Sequence, residues 1–168
     1  MRNRLELSDR LRPFRRFLIR DLLVLGATLI AWMSGVAQRE VEALSVGLGL
    51  MTALCALLLH EWAHLYGAYI SNAVVHPAPS IFSPFLFDLD SRDNTPAAFL
   101  TTSVWGFYAT GLFVVMFLCL LRGGTLAEQT ALWGAGGLAA LTVLIEFPIA
   151  WRVAASDQIP AVEIFRRR

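Results

Sequence analysis

Three ionisable residues fall within five positions of one long apolar run: His60, Glu61 and His64, in the string Leu57-Leu58-Leu59-His60-Glu61-Trp62-Ala63-His64-Leu65-Tyr66. Residues four apart on an α-helix share a face, so His60 and His64 can turn imidazole nitrogens to one metal ion. Glu61 beside them can act as a base toward a water molecule. That is the geometry of a zinc hydrolase. Zn2+ brings the pKa of water down toward about 7, and the neighbouring carboxylate accepts the proton and hands it to the leaving amine. The setting sharpens a short motif, because each of the three groups is costly on a transmembrane helix if it faces lipid unpaired. The competing structural reading is an interfacial cluster at a frayed helix end, hydrogen-bonded to the 71–96 segment.

Zinc held by two histidines wants a third protein ligand and an open position. The candidates are Glu146, Asp157, His76, Asp88, Asp90 and Asp93. Glu146 leads, because it lies inside an apolar run, and an intramembrane acid is a functional candidate by default. Pro148, two residues on, should disturb the helix there and free carbonyls. The alternative for Glu146 is a buried hydrogen bond to a neighbouring helix or to Arg152. Asp157 reads first as a solvated charge at the membrane edge, and the loop residues as ordinary loop polars. A haem site would take its histidines from separate helices. A di-iron hydroxylase or desaturase needs more than the three histidines present.

The elements that must position these residues are helices in a membrane. The 168 residues are 57% hydrophobic and only 16% charged, with mean hydropathy +0.59. Apolar runs at about 21–38, 44–70, 97–121 and 130–154 each approach or exceed the roughly 17 to 25 residues that cross a bilayer core. Backbone groups in lipid must be satisfied within the segment, so these are helices and the fold is all-α, with four spans. Seven arginines lie in residues 1–20, and Arg152, Arg166, Arg167 and Arg168 end or follow the last run, against Arg39 and Arg122 in the short connections. This bias places both termini in the cytoplasm, with the 71–96 connection on the same side. The expected location is a bacterial inner membrane.

Residues 1–20 read as a basic amphipathic segment on the membrane surface, or as a plain topogenic flank. Residues 158–168 form a basic tail. The 71–96 segment mixes four prolines with Ile81, Phe82, Phe85, Leu86 and Phe87, which admits an extended or re-entrant element against the bundle as readily as an ordered surface loop. Gly106, Gly111, Gly134, Gly136 and Gly137 suit close helix approach. The tryptophans fit interfacial belts or packing, and Cys55 and Cys119, inside apolar runs, fit packing and not a disulfide framework. A net charge of +1 without basic-aromatic interleaving argues against a nucleic-acid partner.

On HEWAH late in a span, a loop of extended character and two further spans, the chain resembles the site-2 protease family of intramembrane zinc metalloproteases. The resemblance implies a three-helix core over roughly 44–157, His60 and His64 as zinc ligands and Glu61 as catalytic base. Ala63 stands where that family has glycine. Glu146-Phe147-Pro148-Ile149-Ala150-Trp151-Arg152 stands where it has Asn-x-x-Pro followed by Leu-Asp-Gly, so Glu146 or Asp157 would have to supply the last ligand. The expected function is hydrolysis of a peptide bond in or near a transmembrane segment of a membrane protein substrate. The alternative is an inactive relative serving as accessory or scaffold subunit of a membrane complex. A small transporter using the same polar residues is the weakest alternative, since no pair of broken helices is evident.

Overall fold

A computed structural model describes residues 10–38, 41–89 and 92–159 of the chain. Its helices are α1 (Arg15–Met33), α2 (Glu42–Ile70), α3 (Pro96–Leu120), α4 (Leu126–Leu141) and α5 (Phe147–Ser156), the last two joined by a π-helical turn, Thr142–Glu146. Two short strands, β1 (Val75–Pro77) and β2 (Phe87–Leu89), pair antiparallel with His76 opposite Asp88. The fold is therefore helical apart from one small hairpin.

Among the described residues, three helical stretches are long and apolar enough to cross a membrane: Glu42–Ile70, Pro96–Leu120 and the continuous Leu126–Ser156. The protein is accordingly a membrane protein. The first of the four expected spans differs from its reading. Helix α1 begins at Arg15 and ends at Met33, so it carries Arg15, Arg16, Arg20 and Asp21, and it is not among these three. It stops where Gly35 takes a left-handed conformation, φ 72°, which glycine adopts without a Cβ clash. A short 3-10 turn, Val36–Gln38, follows. The basic N-terminal segment is likewise not a separate surface helix beyond residue 10. A 3-10 turn, Arg12–Phe14, runs straight into α1. Residues 1–9 and most of the C-terminal tail, from 160, lie outside the described residues.

Helix ends follow local chemistry. Pro96 opens α3 behind Thr95, whose hydroxyl accepts from the Ala98 N–H. Thr125 and Glu128 form a capping box at the start of α4. Pro148 cannot donate to the carbonyl four residues back, and the turn before it widens, so that the Phe147 N–H bonds to Thr142 O, five residues back.

Small side chains make much of the contact between the helices and many large ones face outward, as expected where lipid supplies no hydrophobic drive between helices. Ala56, Ala127, Ala131 and Ala135 are buried, while Leu22, Leu23, Leu50, Val104, Leu118, Leu144 and Trp151 are exposed. A Cβ on Gly49 would collide with Thr130 and the Ala127 carbonyl, and one on Gly134 with Ala53, so α2 and α4 meet almost backbone to backbone. Helix α2 is the hub, packed against α1, α3 and α4. A second, larger-residue cluster of Phe14, Phe17, Leu65, Ala78 and Leu86 joins the start of α1, the end of α2 and the hairpin loop.

Candidate metal centre

Helix α2 presents His60 and His64 to α3 and to the π turn before α5. His60 Nε2 lies 3.0 Å from His64 Nε2 and 3.3 Å from Glu146 Oε1, and His64 Nε2 lies 3.5 Å from Glu146 Oε2. The three ligand atoms all fall within 4.8 Å of one another, a group able to hold a metal ion. The widened turn ends on Glu146 itself, so the irregularity enforced by Pro148 and the acid that faces the histidines belong to one local feature. Single π turns of this kind often mark functional sites.

The far nitrogens of both rings are tied down. His64 Nδ1 is 2.8 Å from the Thr102 carbonyl, and His60 Nδ1 is 3.1 Å from the Gly106 carbonyl and 2.8 Å from the Thr110 hydroxyl. A carbonyl only accepts, so each Nδ1 carries the hydrogen and donates it. In the neutral imidazoles each Nε2 is then a bare lone pair. Two lone pairs and a carboxylate thus point at one another across 3.0 to 3.5 Å. Three acceptors so arranged repel unless a proton or a metal cation sits among them. Glu146 Oε2 is buried with no hydrogen-bond partner among the described residues.

The spacing suits a metal. Ligand atoms about 2.0–2.1 Å from a tetrahedral Zn2+ stand roughly 3.4 Å apart, close to the separations found. Backbone carbonyls orienting the far ring nitrogens are the usual partners of metal-bound histidine. His60 is almost fully enclosed at 1% exposure, whereas Glu146 is 34% exposed although its Oε2 is buried.

Glu61, next to His60 on the helix, is not one of the three converging groups. One residue along a helix is a turn of about 100°, which carries its carboxylate toward the hairpin loop, where Oε2 accepts from the Leu86 N–H at 3.2 Å. The carboxylate is 7% exposed. Next to it, the Trp62 indole N–H donates to Asp21 Oδ2 of α1 at 2.8 Å.

Of the other candidate ligands, none joins the cluster among the described residues. Asp157 is exposed at the end of α5, in a left-handed conformation with φ 52°. His76 and Asp88 oppose each other in the hairpin, Asp93 is exposed, and Asp90 lies outside the described residues. Arg152 is exposed, and Glu146 pairs with the histidines instead.

Thr102 and Thr110 were not singled out from the sequence, and Gly106 only as a packing residue. Thr102, Gly106 and Thr110 recur every four residues on α3, a polar and small stripe in an otherwise apolar helix, and that period is the signal that marks them. Gly106 was expected at a close helix approach, but its contact is the site itself: a Cβ there would overlap the His64 ring. Asp21 and the Leu86 amide carry no such pattern. The N-terminal arginines are also more than a flank. Arg16 donates to the Ala78 and Pro79 carbonyls, Arg20 to those of Ile81 and Ser83, and Arg10 to Tyr69 O and Asn72 Oδ1. Cys55 is buried in packing as expected, whereas Cys119 is exposed. No protein-family model, no curated protein and no solved structure matches the chain.

Proposed function

We propose that the chain is an intramembrane zinc metalloprotease, with His60, His64 and Glu146 holding Zn2+ and Glu61 as catalytic base, cutting a peptide bond in or near a transmembrane segment of a membrane protein. The observation that carries this reading is the set of three converging acceptors whose histidines are locked, by the Thr102 and Gly106 carbonyls, in the tautomer that ligates a metal. Both termini would lie in the cytoplasm, and the bilayer and a substrate protein are the partners.

Zn2+ bound there supplies Lewis acidity, polarising a substrate carbonyl and making a water molecule more acidic. The remaining work falls to the chain. Glu61 Oε2 is held by the Leu86 amide, which leaves Oε1 to take the proton of the attacking water. The same carboxylate then returns that proton to the leaving amine as the C–N bond breaks. Glu61 is 7% exposed beneath the β1–β2 loop, which would limit bulk water there, and a peptide would approach from the side of Glu146, the more exposed of the three ligands.

The test is elemental analysis of detergent-purified protein. About one zinc per chain is expected, lost in His64→Ala and Glu146→Ala, with Glu61→Gln retaining the metal and losing peptide hydrolysis. No stoichiometric metal in the parent chain would overturn the reading. The accessory-subunit reading draws on one observation, the engagement of Glu61 by Leu86 at low exposure. It predicts that Glu61→Gln leaves the function of an assembled complex untouched.

A further inference from the structure

Helix α1 lies outside the ligand set, yet it reaches Trp62, next to Glu61, and the loop that meets the Glu61 carboxylate. Asp21, 2% exposed, divides its two oxygens between two partners: Oδ1 takes Arg20 Nε at 2.6 Å and Oδ2 takes the Trp62 indole N–H at 2.8 Å. Trp62 follows Glu61 in the chain, so the second bond ties down the turn of α2 that bears the carboxylate. Arg20 in turn donates to the Ile81 and Ser83 carbonyls. Those carbonyls sit in a loop with prolines at 79 and 84, which lack N–H groups, so the guanidinium supplies donors that the loop's own backbone does not. Three residues past Ser83, the Leu86 N–H meets Glu61 Oε2, while the Leu86 side chain is fully enclosed among Phe14, Phe17 and Leu65.

We infer that the Arg20–Asp21 pair on α1 positions Glu61, holding its turn of α2 through Trp62 and the loop that orients its carboxylate through Ile81 and Ser83. The inference rests on the reading of Glu61 as the base. It adds that the first helix, which the metal site does not need, is needed by the proton-transferring group. The pair is a positioning element and touches no ligand.

Leu86 reports directly on this arrangement. In the full chain in detergent, with Cys55→Ala and Cys119→Ser removing other thiols, Leu86→Cys is expected to react slowly with a maleimide. Asp21→Ala should raise that rate about tenfold or more, the scale set by losing hydrogen bonds to a charged group. Arg20→Gln should do the same. Asp21→Asn keeps an oxygen for the Trp62 indole but loses the charge facing Arg20, so it should recover only part of the protection, whereas a pure packing effect would be rescued fully by this isosteric side chain. Zinc content should stay near that of the parent in all three.

Labelling rates that stay at the parent value in both Asp21→Ala and Arg20→Gln would overturn the inference, as would loss of zinc in either, since the pair would then support the ligands and not Glu61 alone. If Asp21→Ala does not yield folded protein, Arg20→Gln decides by the same readout. A parent chain that binds no metal defeats the hydrolase reading by itself, while labelling still decides whether the pair holds the loop against Glu61.

Discussion

The two halves of the His60–His64 motif rest on different kinds of support. The ligand half faces α3 and the π turn, and its second layer is built from backbone carbonyls and a threonine inside packed helices. The half carrying Glu61, the proposed base, faces a proline-containing loop and α1, and it is held by one loop amide and a network of arginine hydrogen bonds. Helix interiors keep their carbonyls in place as long as the helix exists. A loop keeps its place only while side chains from elsewhere hold it. On the proposed function, metal retention and proton transfer should therefore fail separately.

The largest effect that would break this contrast is at the ligands. His60→Ala, His64→Ala and Glu146→Ala are each expected to take bound zinc from about one per chain to near none, measured by elemental analysis. Residual stoichiometric metal in Glu146→Ala would move the third ligand elsewhere. Gly106→Ala comes next, because the added methyl must displace the His64 ring or push α3 off α2. Zinc affinity in a competitive chelator titration should fall by about 10- to 100-fold, the range seen when the partners of metal-bound histidine are disturbed.

Thr110→Val should weaken zinc by about tenfold, with Thr110→Ser close to the parent, since only the hydroxyl contacts His60 Nδ1. On the other half, Leu86→Ala keeps the amide and removes a fully enclosed side chain. Unfolding in detergent should cost about 2–5 kcal/mol less, with zinc content unchanged. A Leu86→Ala chain that loses its metal would erase the distinction between the halves. Smallest is Thr125→Ala, which removes the capping box of α4, distant from both. It should cost about 1 kcal/mol of stability and leave zinc binding alone.

Much of the ligand half was legible because helix periodicity is a local rule. A spacing of four puts His60 and His64 on one face, and an acid in an apolar run before a proline stands out as Glu146 does. The apolar run lengths likewise located Glu42–Ile70, Pro96–Leu120 and Leu126–Ser156 to within a few residues of where they stand. The first helix was less legible. Its apolar run begins at 22, but Arg16, Arg20 and Asp21 find partners in the loop and in Trp62, so the helix extends back to Arg15 through residues that look like a solvated flank. The strands of the 71–96 segment were open to either reading, since proline and aromatic content permits both and only the pairing of Val75–Pro77 with Phe87–Leu89 decides.

The sequence by itself determined the three long apolar helices, the membrane environment and the pair of histidines, because hydrophobic run length and the 3.6-residue period depend on neighbours in the chain. Only the tertiary structure decided which acid meets the histidines, which carbonyls select their tautomer and what Glu61 touches. Glu146 and His60 are 86 residues apart in the chain and 3.3 Å apart in space, and the Leu86 amide carries no side-chain identity to be read. Contacts of that kind depend on how α2, α3, the π turn and the loop pack together, and no local pattern encodes the packing.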